Sequence, residues 1–143
     1  MKVSDEPIVI QIKTQASISS IWRAFTLLSE LRQWLFAEIP SFVAEEGFST
    51  EFDILAGERT FNHVWVVKEV IKKEKIVVEW SYTGYEGKGD VSYEIIKDRL
   101  HNIIRVTNTV TQDFDNNIPE FKRESAVNGW KYFVQDRLVK YLS

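Results

Sequence analysis

Apolar and polar positions alternate over long stretches of this chain, and the period changes in a definite order. Ile8, Ile10 and Ile12 fall on one side of a short run, the signature of a half-buried strand. Ser17 then offers a hydroxyl to an orphan helical N–H, and Ile18, Ile21, Trp22 and Phe25 recur on one helical face. Ser29 is placed to cap a second short helix carrying Leu31, Trp34 and Leu35, and Pro40 ends that region. From Gly47 onward the period is that of strands. Phe48, Thr50, Phe52 and Ile54 share a face, and the run 56–59 around Gly57 predicts a hairpin connection. A long strand follows over 61–71, then a charged turn over 72–75, then Ile76, Val78, Trp80 and Tyr82 in alternation. Gly84, Gly87 and Gly89 mark a loop around Tyr85. Val91, Tyr93 and Ile95 alternate again, Asp98-Arg99 turns the chain, and Ile104, Val106, Asn108 and Val110 form the face of the last strand.

Asn116-Asn117 is placed as a cap with Pro119 in the first turn, which predicts a helix over 118–142. Ala126, Trp130, Phe133, Val134, Leu138 and Tyr141 give it one broad apolar face. Ile118, Phe121, Ser125 and Gly129 give its first half a second stripe. The order is a strand, two short helices, about six further strands and a long helix. Consecutive strands joined by tight turns predict an antiparallel meander. Only the terminal helix is long enough to cover one face of such a sheet. The fold class is therefore α+β, one domain over residues 1–143, with a twisted sheet gripping a helix and a space where the two diverge.

Composition sharpens this picture. The chain has 143 residues, 44% of them hydrophobic, with five Trp and nine Phe, enough aromatic surface to fill a core and still line a cavity. A net charge of −3 offers no basic field for a nucleic acid. With no Cys and two His, thiol chemistry, disulfides and a structural zinc site are disfavoured, and no cofactor is expected. No apolar run reaches bilayer length and no signal peptide is visible, so the default expectation is a cytoplasmic protein.

Several segments together resemble the family of small proteins related to the activator of the heat-shock-protein-90 ATPase. These are Ala16-Ser17, the run Ile21-Trp22-Arg23-Ala24-Phe25-Thr26, residues 31–34, residues 70–80 ending in Trp80, Asn128-Gly129-Trp130, and the close Lys140-Tyr141-Leu142. The resemblance spans nearly the whole chain. It implies the helix-grip fold shared with steroidogenic-type lipid-transfer domains and birch-pollen allergens, with two short helices after the first strand and a deep cavity between sheet and long helix. It carries no catalytic set. The sequence departs from the family pattern in lacking prolines between Ile71 and Lys75 and in placing Arg137 where a leucine is expected.

Trp34, Phe48, Phe52, Trp65, Trp80 and Tyr93 are the aromatic candidates for a ligand cavity, because pockets are mostly apolar with a few oriented polar groups. Each also has an ordinary reading as core. Asn108, Ser125 and Asn128 are the candidate polar groups, and Phe121 joins Ser125 on the mixed helical stripe that is expected to wall the cavity. The Trp130–Phe133 stripe is expected to seal, and Gly129 to mark a close approach of helix to sheet. His63 lies in phase with Trp65, but no nucleophile or orienting carboxylate stands at a diagnostic spacing, which favours a structural role. His101, beside a turn, reads as solvated. Glu69 either turns inward and needs a partner or is turned out by a β-bulge. Arg137 is either an anchor for an anionic head group or a snorkelling, salt-bridged residue. The glycines between Gly84 and Asp90 open no helix, so they do not form a phosphate cradle.

The first expectation is a binding module for an apolar or lipid-like small molecule, active as a monomer or weak homodimer. An alternative, carried by the resemblance alone, is a protein-interaction module acting as a cochaperone. A small hydrolase- or cyclase-type enzyme is the third reading, with only His63, Glu69 and tyrosines to offer.

Overall fold

The computed structural model describes residues 1–143. Strand β1 (Ile8–Thr14) is followed by helices α1 (Ile18–Thr26) and α2 (Leu28–Trp34), then by β2 (Ser49–Ala56), β3 (Arg59–Ile71), β4 (Lys75–Tyr82), β5 (Lys88–Lys97) and β6 (Asn102–Gln112). The six strands form one curved antiparallel sheet in the order β1-β6-β5-β4-β3-β2. Five strands, one fewer than expected, therefore follow the short helices, and β1 closes the meander by pairing with β6. The α+β helix-grip architecture is as the sequence predicts.

Local chemistry explains most boundaries. Ser17 caps α1, its hydroxyl accepting from the Ser20 N–H at 3.1 Å. Ser29 does not cap α2. That helix starts one residue earlier, at Leu28, with Leu27 as the turning residue and no side-chain cap. Leu27 ends α1 and begins α2, so no room is left for a polar linker. Gly89 is not in the loop with Gly84 and Gly87 but inside β5, beside an irregularity in the β5–β6 register. In β3 the register slips between Val67 and Glu69, a bulge at Lys68. The slip turns Glu69 outward, where it meets Lys75 at 3.8 Å.

The C-terminal helix differs most from expectation. Residues Pro119–Phe121 form a separate 3₁₀ turn that begins after Ile118, so Asn116-Asn117 caps nothing in the helix proper. Extended backbone at Lys122 breaks the chain before α3 (Arg123–Lys131). The helix then widens to π winding over Tyr132–Leu138 and ends as α4 (Val139–Leu142). No helix is long and apolar enough to cross a membrane.

The core lies between the inner sheet face and these helices. Its tightest part gathers Ile21, Phe25, Trp34, Ile104, Val106, Val134 and Leu138, each no more than 2% exposed. The outer sheet face is largely polar, with Lys68 between Glu79 and Asp90 at 3.7 and 3.1 Å, and Arg105 donating to Gln11 at 3.0 Å.

Candidate functional site

A cavity of about 170 Å³ lies between the inner sheet face and the first half of the C-terminal helix. Its floor is made by His63 from β3, Trp80 and Tyr82 from β4, Gly89 and Val91 from β5, and Asn108 from β6. Strand alternation aims these side chains inward, and the ladder sets them side by side, with His63 opposite Tyr82 and Val91 opposite Asn108. The roof is Ala126, Gly129, Trp130 and Phe133. Phe36, from the segment after α2, closes one end, and Phe114, Glu120 and Phe121 close the other beside Met1.

Aromatic rings dominate these walls. Phe36 sits at the junction, 5.1 Å from the Phe133 ring, 5.3 Å from His63 and 5.9 Å from Trp80. Trp80 lies 5.2 Å from Trp130. Phe121 packs against Tyr82 at 5.0 Å and Phe114 at 5.2 Å. Edge-to-face and tilted contacts of this kind hold rings in fixed orientations, which keeps the walls from collapsing into the space.

The polar groups are few and specific. His63 is 6% exposed and stacks on Phe52 at 5.4 Å. Its Nδ1 stands 3.1 Å from the Phe61 carbonyl oxygen. A carbonyl can only accept, so Nδ1 carries the proton. Burial pushes the His63 pKa down to about 4, so the ring is neutral at neutral pH and Nε2 presents a free lone pair. Nε2 has no hydrogen-bond partner in the protein, and His63 borders the cavity beside Phe36 and Tyr82. Burial raises the Tyr82 phenol well above the ordinary tyrosine range. The indole N–H groups of Trp65 and Trp80 are buried without a hydrogen-bond partner. The Tyr93 hydroxyl is near enough to Trp80 to feel it, yet lies outside hydrogen-bond geometry. An unpaired buried donor costs roughly 1–3 kcal/mol, and the Trp80 N–H lies on the Tyr93 side of the ring, out of reach from the cavity. Gly89 makes room for Asn108. A Cβ on Gly89 would stand 3.0 Å from the Asn108 Oδ1, which lies over that residue. At the rim, Glu120 meets Arg59 at 3.4 Å in a partly exposed ion pair.

Of the predicted site residues, Trp80, Asn108 and Phe121 border the cavity. The others do not. Trp34 is fully buried because its indole N–H donates to the Ala24 carbonyl at 2.8 Å, which turns the ring toward Tyr93 and the solid end of the core. Tyr93 packs there too, 5.6 Å from Phe25. Phe52 and Trp65 stand behind His63 and Phe36 as supporting walls. Phe48 packs on Phe42 at the far edge of the sheet, at 5.9 Å. Ser125 and Asn128 are exposed, because the helix starts later than expected and turns Ala126 and Gly129 to the cavity instead. Gly129 is thus no close-contact glycine: a Cβ there would meet nothing within 4 Å. Trp130 and Phe133 roof the cavity, and the sealing contacts fall to Val134 and Leu138. Arg137 donates to the Gln33 carbonyl at 2.7 Å and ties the helix to α2, away from the cavity. His101 is partly buried at its turn, 3.5 Å from Asp98.

Phe36 and Phe114 were missed by sequence reasoning. Both sit in irregular segments where no period marks a buried face. For Phe114 a signal existed in Gly87, whose φ of 118° and lack of a side chain let the Phe114 ring lie directly on its backbone.

A base with a pKa near 4 has little proton affinity at neutral pH, and no carboxylate orients the imidazole.

Among solved structures, DynU16, from the dynemicin biosynthetic locus, superposes with a TM-score of 0.75 at 20% identity, over 96% of this chain and 47% of that one. The present chain thus spans about half the length of DynU16. Mll3558 of Rhizobium loti gives 0.80 at 14% identity over 96% of each chain. The Aha1 dimer of Colwellia psychrerythraea gives 0.69 at 16% identity, again over 96% of each. At these identities the likeness speaks for the fold alone. No curated protein sequence matches the chain. The sequence does match the family described as Activator of Hsp90 ATPase homolog 1-like protein over residues 15–143. With that match covering most of the chain, and the fold agreeing, the protein belongs to the Activator of Hsp90 ATPase homolog 1-like family.

Proposed function

We propose that this protein is a binding module for a small, largely apolar molecule held between the sheet and the first half of the C-terminal helix. The supporting observation is the aromatic-walled cavity of about 170 Å³ that contains His63, whose ring bonds to the protein through Nδ1 alone. Typical drug-sized sites run from about 300 to 1,000 Å³, whereas a dry cavity of about 150 Å³ accepts benzene. The fitting ligand is therefore of single-ring size. Burying such a ring removes on the order of 200 Å² from water, worth about 5 kcal/mol before association costs, so an affinity of about 1 mM or weaker is expected.

A cochaperone role would rest on the family likeness. The outer sheet face, with its Lys68–Glu79–Asp90 cluster, offers no broad apolar surface to favour it.

The test is thermal unfolding with toluene or indole. At ten times Kd, such a ligand should raise Tm by roughly 3–6 °C. Gly129→Leu places a side chain in the open roof position and should abolish the shift while leaving the protein folded. Equal stabilisation of both forms would put the ligand elsewhere, and no stabilisation of either would remove the proposal.

A further inference from the structure

We infer that the cavity selects a neutral, single-ring compound carrying one O–H or N–H donor, a phenol-like molecule whose donor meets His63 Nε2. This rests on the binding-module reading and names the ligand class. Three observations carry it.

The first is directional. The Phe61 carbonyl holds the His63 proton on Nδ1, so Nε2 can only accept. The ring cannot turn over to offer a donor without losing that bond. A ligand that reaches His63 must therefore bring the hydrogen.

The second is charge. No lysine or arginine borders the cavity, and its one acidic neighbour, Glu120, is already engaged by Arg59. Burial keeps His63 uncharged. A carboxylate would meet only the Met1 ammonium, already held by the Phe121 carbonyl at 2.9 Å, an ammonium would meet no free carboxylate, and each would have to give up its hydration.

The third is shape. Trp80, Trp130, Phe36 and Phe133 present ring faces and edges around a space sized for one ring. The polar atoms sit on the floor, so an aromatic ligand lies with its flat surface on the indoles and its polar edge toward the sheet. Tyr82 stands beside His63 on that floor to receive or supply a second hydrogen bond from the same edge, while Asn108 lies three strands across the sheet.

Phenol, toluene, benzoate and benzylammonium have similar rings and separate these features. Their binding to the wild-type protein and to His63→Phe is measured by calorimetry and by thermal shift. Wild type should bind phenol at least as tightly as toluene, although phenol is the harder of the two to take out of water. The two charged rings should bind at least 10-fold more weakly than phenol. In His63→Phe the phenol-to-toluene preference should fall about 10-fold, with toluene binding retained. Should His63→Phe fail to fold, ¹⁵N NMR of the wild-type imidazole decides instead. Phenol should shift the unprotonated Nε2 resonance and toluene should not. Toluene binding with phenol excluded, an unchanged preference in the variant, an unmoved Nε2, or tight binding of benzoate or benzylammonium each overturns this inference while leaving the binding module standing. Failure of every ring to bind removes both.

Discussion

The two ends of the sheet–helix interface are built from the same kinds of residue and behave differently. At one end Phe25, Trp34, Tyr93, Val134 and Leu138 fill the space completely. At the other, Phe36, Trp80, Phe121, Trp130 and Phe133 surround a void. Aromatic content does not separate them. What separates them is what covers each end and how the polar atoms are used. The solid end is covered by α1 and α2 as well as by the π segment, and its Trp34 N–H is paired within the helix pair. The open end has a single roof, thinned by Gly129 and Ala126, over a floor whose His63 bonds to the protein through Nδ1 alone. A core is sealed when its polar atoms satisfy each other. A pocket remains when they do not and when small residues face them.

The largest expected effect lies at the solid end. Trp34→Ala removes a fully buried indole and its bond to Ala24, and should cost about 3–5 kcal/mol in chemical denaturation. A loss under about 1 kcal/mol would mean the solid end is looser than its packing implies.

A second effect comes from the open end and depends on pH. His63 has its folded pKa lowered from 6.5 to about 4, so between those values the unfolded chain holds the extra proton. Stability therefore falls as pH drops from about 6.5 toward 4, by on the order of 3 kcal/mol from this residue, and the His63 contribution levels off below. Comparing unfolding of wild type and His63→Phe across that window tests it, since the variant should lose that part of the slope. Parallel curves would mean that His63 does not titrate as a buried group.

Gly129→Ala is a smaller test, and its sign is informative. The methyl enters open space and removes a helical glycine, so stability should rise by about 0.5–1 kcal/mol. The same change at a sealed position would destabilise. A lower Tm would show that the roof is in contact with the sheet after all.

The smallest effect is expected at the rim. Arg59 and Glu120 are partly exposed, with side chains 44% and 30% accessible, and Glu120→Gln should change stability by less than about 1 kcal/mol. A larger loss would reveal that this pair helps hold the 3₁₀ turn over the cavity.

Much of this was legible in the sequence because it is local. Alternation placed Ile8, Trp65, Trp80, Tyr93 and Val106 on the inner face, and Ser17 announced α1, because a pleat and a cap are each set within a few residues. The presence of a space beneath the first half of the C-terminal helix also followed from element order. Its membership did not. Phe36 and Phe114 lie where no period exists to reveal a buried face. Ser125 and Gly129 were misassigned because the break at Lys122 starts the helix anew at Arg123, a change of phase that a fixed 3.6 period run through from Ile118 does not contain. Trp34 read as pocket and became core because its N–H found a carbonyl ten positions back, a pairing that depends on how two short helices meet. Periodicity determines which side of an element is buried. Only the packing of distant segments decides whether the buried side meets another side chain or an empty volume, since that is a property of the space between elements and not of either one.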